Sequence, residues 1–493
     1  MSAVTQLLPR HRRRKERRST LTSTTVRAAT VLVWCWILLL PAVSLGESVS
    51  YWSSPSVLGE AGRFDADPQV SVNARGAAVA LWVSGQSEGA ESEIRAASRP
   101  TDYGRWEAAV TVAKAETFSP AVAIDSGGSA IAAWSSGYIN NEATVWAAVR
   151  PIGHVSWSAP VKLGITENAV GYRPSVAFDS RGNGFVVWGS SRGIRAAIRR
   201  SQSGRWQTPI NVSATGGEDA RVVLDARGDA IVAWEGFEGI QAAIRPKGSR
   251  RWQAPVSISG PGLGTGGSPG GPSLAVDRQG TVVAIWSLTK GVYNNVPHII
   301  QSASKQPGHP WTPPVDVSQP GWDTGAPDVA MDSRGDAVAV WSAAMGKDVE
   351  VSGTPIVQAA TRLANGMWQP LIDLTSPDSV PSNRELDGEP KVAVGPRGNT
   401  IAVWEHVSDG ESIQAAEGTA GGAWQSHTEL GPSTFGGGQQ LRFSNPQVAV
   451  DDRGNAVAVW SSQVPTNRMI IQMSEYRPLD LAFPVMSSSG RGG

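Results

Sequence analysis

An all-β protein assembled from repeated four-stranded sheets is predicted by three features of the chain. A fifteen-residue motif, Pro-x-Val-x-x-Asp-x-x-Gly-x-x-x-x-x-Trp, recurs along it, as in PDVAMDSRGDAVAVW (327–341) and PQVAVDDRGNAVAVW (446–460). After each of the first seven copies comes a second motif, Ala-Ala-x-Arg, then a Gly-containing turn and a Trp, as in AAIRPKGSRRWQAPV (242–256). The composition also suits short strands rather than helices: the 493 residues include 55 Gly, 33 Pro and 20 Trp, with strand-length Val/Ala/Ile runs between turn residues.

Each unit reads as four antiparallel strands, A to D. Strand A is the Pro-x-Val-x-x-Asp segment. The Asp-x-x-Gly turn follows, because Asp bonds its own backbone in a tight turn and Gly accepts a positive φ. On this reading Asp125, Asp179, Asp225, Asp277, Asp332 and Asp451 are turn formers. Strand B runs to the first Trp, at Trp82, Trp134, Trp188, Trp234, Trp286, Trp341, Trp404 and Trp460. Strand C is the Ala-Ala-x-Arg segment, and strand D starts at the second Trp (Trp106, Trp157, Trp206, Trp252, Trp311, Trp368, Trp424). A large ring at one place in every unit is expected to fill the wedge between neighbouring sheets. Four short strands recurring every 46–63 residues predict a single β-propeller with eight four-stranded blades. The ends favour ring closure. YWSSPSVL (51–58) is a lone strand D, whereas the last unit stops at a strand C, IIQMSEY (470–476), so the N-terminal strand is expected to complete the last blade and cover its edge.

The N-terminus differs from the rest. Residues 1–27 hold eight Lys/Arg and one acid, leaving 35 bases and 42 acids in the remainder. A mildly acidic body argues against nucleic acid as a partner. The apolar run in VRAATVLVWCWILLLPAVSLGES (26–48), behind the basic cluster, predicts a signal peptide or an N-terminal membrane anchor over residues 1–46. The propeller is assigned to 47–477 and a disordered tail to 478–493. The protein is therefore expected to be secreted or at the cell surface, touching a membrane only through an uncleaved N-terminus. Cys35, the sole cysteine, lies in the N-terminal segment, so the body has no disulfide and must rely on its core.

The paired motifs resemble the sialidase-like, Asp-box (BNR-type) repeat propellers of exported bacterial proteins, over roughly residues 51–477. The boxes are degenerate: in SRPTDYGRW (98–106) and TRLANGMW (361–368) only the Gly and Trp of the family pattern remain. The resemblance implies a propeller. It also implies that activity would need an arginine trio, a Tyr–Glu nucleophile pair and an Asp acid/base. The nearest match to the first arginine motif, Tyr172-Arg173-Pro174, lacks the Ile and precedes the third blade, so it reads as a linker. Arg99, Arg150, Arg199, Arg245 and Arg362 follow the repeat and read as structural or surface residues. No catalytic residue is assigned, and no enzyme activity is expected.

No metal or other cofactor is expected either. The six histidines are scattered, and the glycines of GPGLGTGGSPGG (260–271) lack the Lys-Ser/Thr and helix of a phosphate loop. Strand alternation puts the A–B and C–D turns on one face of the disc and the B–C and D–A loops on the other. Length variation collects in the latter (83–93, 135–144, 260–271, 287–298, 342–356, 377–389, 432–445), which makes that face the expected binding surface. Within it Tyr138, Asn140, Asn141, Tyr293, Asn294 and Asn295 could stack on and bond a sugar, with Trp322, in a D–A linker, as a further platform. The expected role is a monomeric, exported binding module for an extracellular glycan or protein. A sialidase-like glycoside hydrolase with unrecognised catalytic residues and an anchored structural envelope protein are the alternatives.

Overall fold

The computed structural model describes residues 51–478. The segments 61–62, 86–91, 102–103, 115–116, 140–141, 168–172, 191, 238, 260–270, 290–297, 346–354, 377–387, 408–410, 433–444 and 465–467 lie outside the described residues, as do 1–50 and 479–493. Eight antiparallel sheets form an eight-bladed β-propeller. Seven of them, in chain order, have strands A–D at Phe64–Val72 to Val110–Lys114, Thr117–Ile124 to Val161–Glu167, Ser175–Phe178 to Ile210–Asn211, Gly217–Leu224 to Val256–Ser257, Ser273–Val276 to Val315–Asp316, Trp322–Met331 to Ile372–Asp373 and Gly388–Val394 to Thr428–Pro432. Blade 8 takes strands A–C from Gln447–Val450, Ala456–Val464 and Arg468–Arg477. Its outer strand is N-terminal: Tyr51 pairs with Arg477, Trp52 with Tyr476, Ser56 with Met473 and Val57 with Gln472. Trp52 also donates to Glu417 of blade 7 at 3.0 Å, and its ring lies 5.3 Å from that of Tyr476. The expected closure is thus present.

The core is a set of seams between blades. Each first-series Trp is buried and packs on strands B and C of the preceding blade. Trp134 sits with Leu81, Ile94 and Ala96 of blade 1, Trp404 with Val338, Val340 and Val357 of blade 6. At the closing seam Trp82 packs with Val457, Val459 and Ile471 of blade 8 and with Leu58 of the N-terminal segment. Paired alanines in strand C make room for the ring, so a bulky residue and a small one alternate round the circle.

The turns form as their residues predict. Asp125 Oδ1 accepts from the amides of Gly127, Gly128 and Ser129 at 2.7–2.9 Å. Asp332 does the same for Arg334, Gly335 and Asp336 at 2.8–3.0 Å. Gly335 has φ +99°, which L side chains rarely adopt, and a Cβ there would press on Asp277 Oδ2 of the preceding blade at 3.0 Å. Four of the repeated arginines, Arg99, Arg150, Arg245 and Arg362, are buried, and Arg199 is half-buried. Arg99 bonds Glu475 of blade 8 and the Gly76 carbonyl, Arg150 the His154 and Gly128 carbonyls, and Arg362 the Ser304 hydroxyl.

Three details depart from expectation. Strand B runs past its Trp in every blade but blade 3. Strand D starts after the second Trp, which forms only an isolated bridge in several blades (Trp206, Trp311, Trp368, Trp424). Strand A begins before its Pro in four blades, and before the equivalent Ala220 in blade 4. A proline cannot donate to the ladder, so pairing crosses it by a bulge and resumes upstream. Register shifts between Ala66 and Gln69, Phe118 and Ala121, Gly325 and Asp328, and Gly388 and Lys391 show this. Trp322 therefore opens strand A of blade 6 instead of lying in a linker.

Candidate functional site

The innermost strands surround a central cavity of about 770 Å³. Its lining comes from the first half of each strand A and the residues just before it, so it lies at the D–A end of the disc. That is the face where the variable loops enter.

The bulges shape its rim. Asp67, Ser119, Asp219, Ala326, Glu389 and Asn445 occupy one equivalent position and all have positive φ, between 40° and 53°. A non-glycine residue in this region is strained, and here the strain is repeated round a ring because the bulge and the following residue demand it. Ser119, Asp219, Ala326 and Glu389 line the cavity, with Arg173 and Gly271 at the same position in blades 3 and 5. Two residues further along each strand lies an inner ring. It includes the amides of Gln69 and Gln447, the hydroxyls of Ser175 and Ser273, and the charges of Arg221, Asp328 and Lys391.

Part of this ring is occupied in holding blades together. Ser175 Oγ accepts from the Val222 amide at 3.2 Å; Asp328 accepts from Ser273 Oγ at 2.8 Å and from the Val392 amide at 3.0 Å. These side chains cover the otherwise open edge of the innermost strands. Arg173, Arg221 and Lys391 have no hydrogen bond or ion pair to a described residue. The cavity can therefore offer fixed cations, amides and hydroxyls to a polar ligand.

Blade 4 adds an acidic edge. Glu235, near the end of strand B, pairs in register with Glu218 beside Asp219. Burial, then the charges of Asp219 and Glu218, push the Glu235 carboxyl up to about 7. The B–C turn of this blade brings Phe237 to the same end, 86% exposed, in a hairpin where Gly236 pairs with Gly239 at φ +110°. Among the described residues no group of three or more His, Cys, Asp or Glu could hold a metal ion.

The sites expected from sequence fall elsewhere or lie outside the described residues. Asn140, Asn141, Tyr293, Asn294 and Asn295 lie outside them, as does the side chain of Tyr138, whose backbone continues strand B of blade 2. Trp322 is half-buried against the blade 6 core and does not line the cavity. Arg173, read as a linker residue, is a wall residue. Arg221, Lys391, Glu235 and Phe237 went unnoticed. Their signal is departure from the repeat: Ala220-Arg221-Val222 stands where other units carry Pro-x-Val, and EGFEG (235–239) is an unusually short B–C turn.

No protein-family model matches this chain, and no curated protein matches it in sequence. Solved structures resemble it weakly. An ulvan lyase bound to a glucuronate–rhamnose sulfate saccharide has TM-score 0.49 at 11% identity, covering 73% of this chain and 94% of its own. A lectin from Burkholderia pseudomallei has TM-score 0.47 at 15% identity, covering 75% and 100%. An intramolecular trans-sialidase from Ruminococcus gnavus has TM-score 0.37 at 10% identity, covering 73% and 90%.

Proposed function

We propose that this protein binds a carbohydrate in the central cavity, outside the cytoplasm, and that its N-terminal segment directs or anchors it there. The observation that carries the reading is the cavity wall: a concave site with amides, hydroxyls and unpaired cations set in stacked rings at the variable-loop face. A sugar needs many directional hydrogen bonds from a rigid frame, and strand positions supply that better than loops. Phe237 adds an exposed ring beside the mouth on which a sugar face can stack.

Glycan-array binding by the purified chain, followed by titration of the best ligand, tests this. Arg221→Gln and Phe237→Ala are each expected to weaken binding at least ~10-fold, a loss of about 1.4 kcal/mol. Unchanged affinity in both variants would remove the cavity from consideration.

One observation favours a second reading, glycan cleavage. A carboxyl raised to about 7 next to Asp219 on the cavity wall has the pairing an acid/base mechanism uses. Glu235 would hold its proton below about pH 7 and act as the general acid beside Asp219. Turnover that falls as pH rises through 7 and vanishes in Glu235→Gln, with binding retained, would establish this reading over simple binding.

A further inference from the structure

A second cleft lies on the opposite face, between the A–B and C–D turns of blades 3 and 4. It is small, about 60 Å³, and its lining is strongly basic: Arg181 and Arg200 of blade 3, Arg227, Arg245 and Lys247 of blade 4, with Asp179 as the carboxylate. Two of these charges are already answered. Arg227 is held by Asp225 at 2.6 Å and lies 3.4 Å from Asp229, and Asp179 is engaged by the Arg181 and Asn183 amides of its own turn. Five cations thus face three carboxylates, in a body that is otherwise mildly acidic.

Arg245 marks the cleft as a ligand site. It occupies the repeated strand C position and is only 3% exposed. Its buried counterparts Arg99, Arg150 and Arg362 all bond a carbonyl, carboxylate or hydroxyl, while the side chain of the half-buried Arg199 bonds no described residue. Arg245 makes no hydrogen bond or ion pair to a described residue, and its Nε is buried without a partner. Its guanidinium lies 5.7 Å from the Phe185 ring centroid, and the nearby charge of Arg200 repels it. Asp179 is the one carboxylate whose charge reaches it, and that carboxylate is already engaged by the amides of its own turn. A buried cation beside another cation is costly unless something more anionic joins them.

We propose that this cleft binds a tetrahedral oxyanion, a sulfate or phosphate group, between Arg200, Arg245 and Lys247. The volume is about that of two water molecules, which suits one such group and excludes a sugar ring. Guanidinium groups match its oxygens in pairs. The same two C–D turns carry the exposed Arg205, Arg250 and Arg251, so further anionic groups along a polymer would meet further cations. The site is independent of the central cavity: it needs no carbohydrate to be recognised there.

The test is calorimetric titration of the full chain with sodium sulfate and with inorganic phosphate, against sodium chloride at equal ionic strength. One saturable site per chain is expected, with a Tm rise of about 2 °C at ten times Kd. Arg200→Gln and Lys247→Gln, both at accessible positions, should each weaken it at least ~10-fold. Arg245→Met should abolish it and, if that variant fails to fold, the first two suffice. No saturable signal beyond chloride, or full affinity in Arg200→Gln and Lys247→Gln, would overturn the proposal. Dextran sulfate and unsulfated dextran separate the sources: competition by the sulfated polymer identifies a polymer-borne group, and binding of the free ions alone identifies a small-anion site.

Discussion

Replacing Asp65 by Asn should make the protein more stable at neutral pH and leave it little changed in acid. Asp65 lies in strand A of blade 1, just after the closing segment, and is fully buried. Neither carboxylate oxygen has a hydrogen bond of good geometry. Burial lifts its pKa from 3.8 to about 6, outweighing the opposing pull of Ser84, Arg63, Arg95 and Trp82. The folded state therefore binds the proton more tightly than the unfolded chain. The contribution of this group is complete below pH 3.8 and is lost as pH rises through 6. The interval between those values corresponds to ~3 kcal/mol withdrawn from the native state by pH 8. Asparagine keeps the shape and never ionises. Denaturant unfolding of both proteins at half-unit steps from pH 3.5 to 8 would show the stability difference, variant minus wild type, growing by about 3 kcal/mol, most of it between pH 4 and 6.5. A difference that stays flat, or that favours the wild type as pH rises, would refute the claim that Asp65 is an uncompensated buried acid.

Further perturbations test the frame. Trp286→Ala empties one seam and should cost ~3–5 kcal/mol, read by denaturant unfolding, whereas Trp322→Ala, at a half-buried position, should cost less. Asp332→Ala removes the acceptor of three turn amides and the partner of Arg334, and should cost ~1–3 kcal/mol with fold retained by circular dichroism. Deleting residues 51–58 strips the outer strand from blade 8. It should lower Tm and make the chain associate with rising concentration in light scattering, because the bared edge of Arg468–Arg477 can pair with another copy.

Much of the architecture was legible because it is written eight times. A Trp at one position of strand B in every unit must be doing one structural thing, and in the folded chain it fills one seam per blade. The turn aspartates were legible for a local reason: the amides that donate to them lie two to four residues ahead. The missing strand of the last unit and the surplus strand at the start pointed to each other. Sites were harder. Tyr and Asn pairs in loops drew notice as local patterns, while the residues of the cavity wall are single positions in different blades, brought together only by closure of the ring.

The sequence by itself determined the fold class, the number of blades, the seam residues, the turns and the partner of the N-terminal strand. These depend on periodicity and on contacts within a unit or between adjacent units. Tertiary structure decided where chemistry can occur. Bulging past proline, which turns residues such as Ser119 and Glu389 into a strained rim, follows from pairing that resumes upstream of the motif. Arg245 is spelled like its counterparts, yet it alone among the buried arginines of its series lacks a hydrogen-bonding partner among the described residues, and it faces Phe185 and Arg200 of the preceding blade. Such differences are set by what the neighbouring blade presents, and a repeat read one unit at a time does not contain its neighbour.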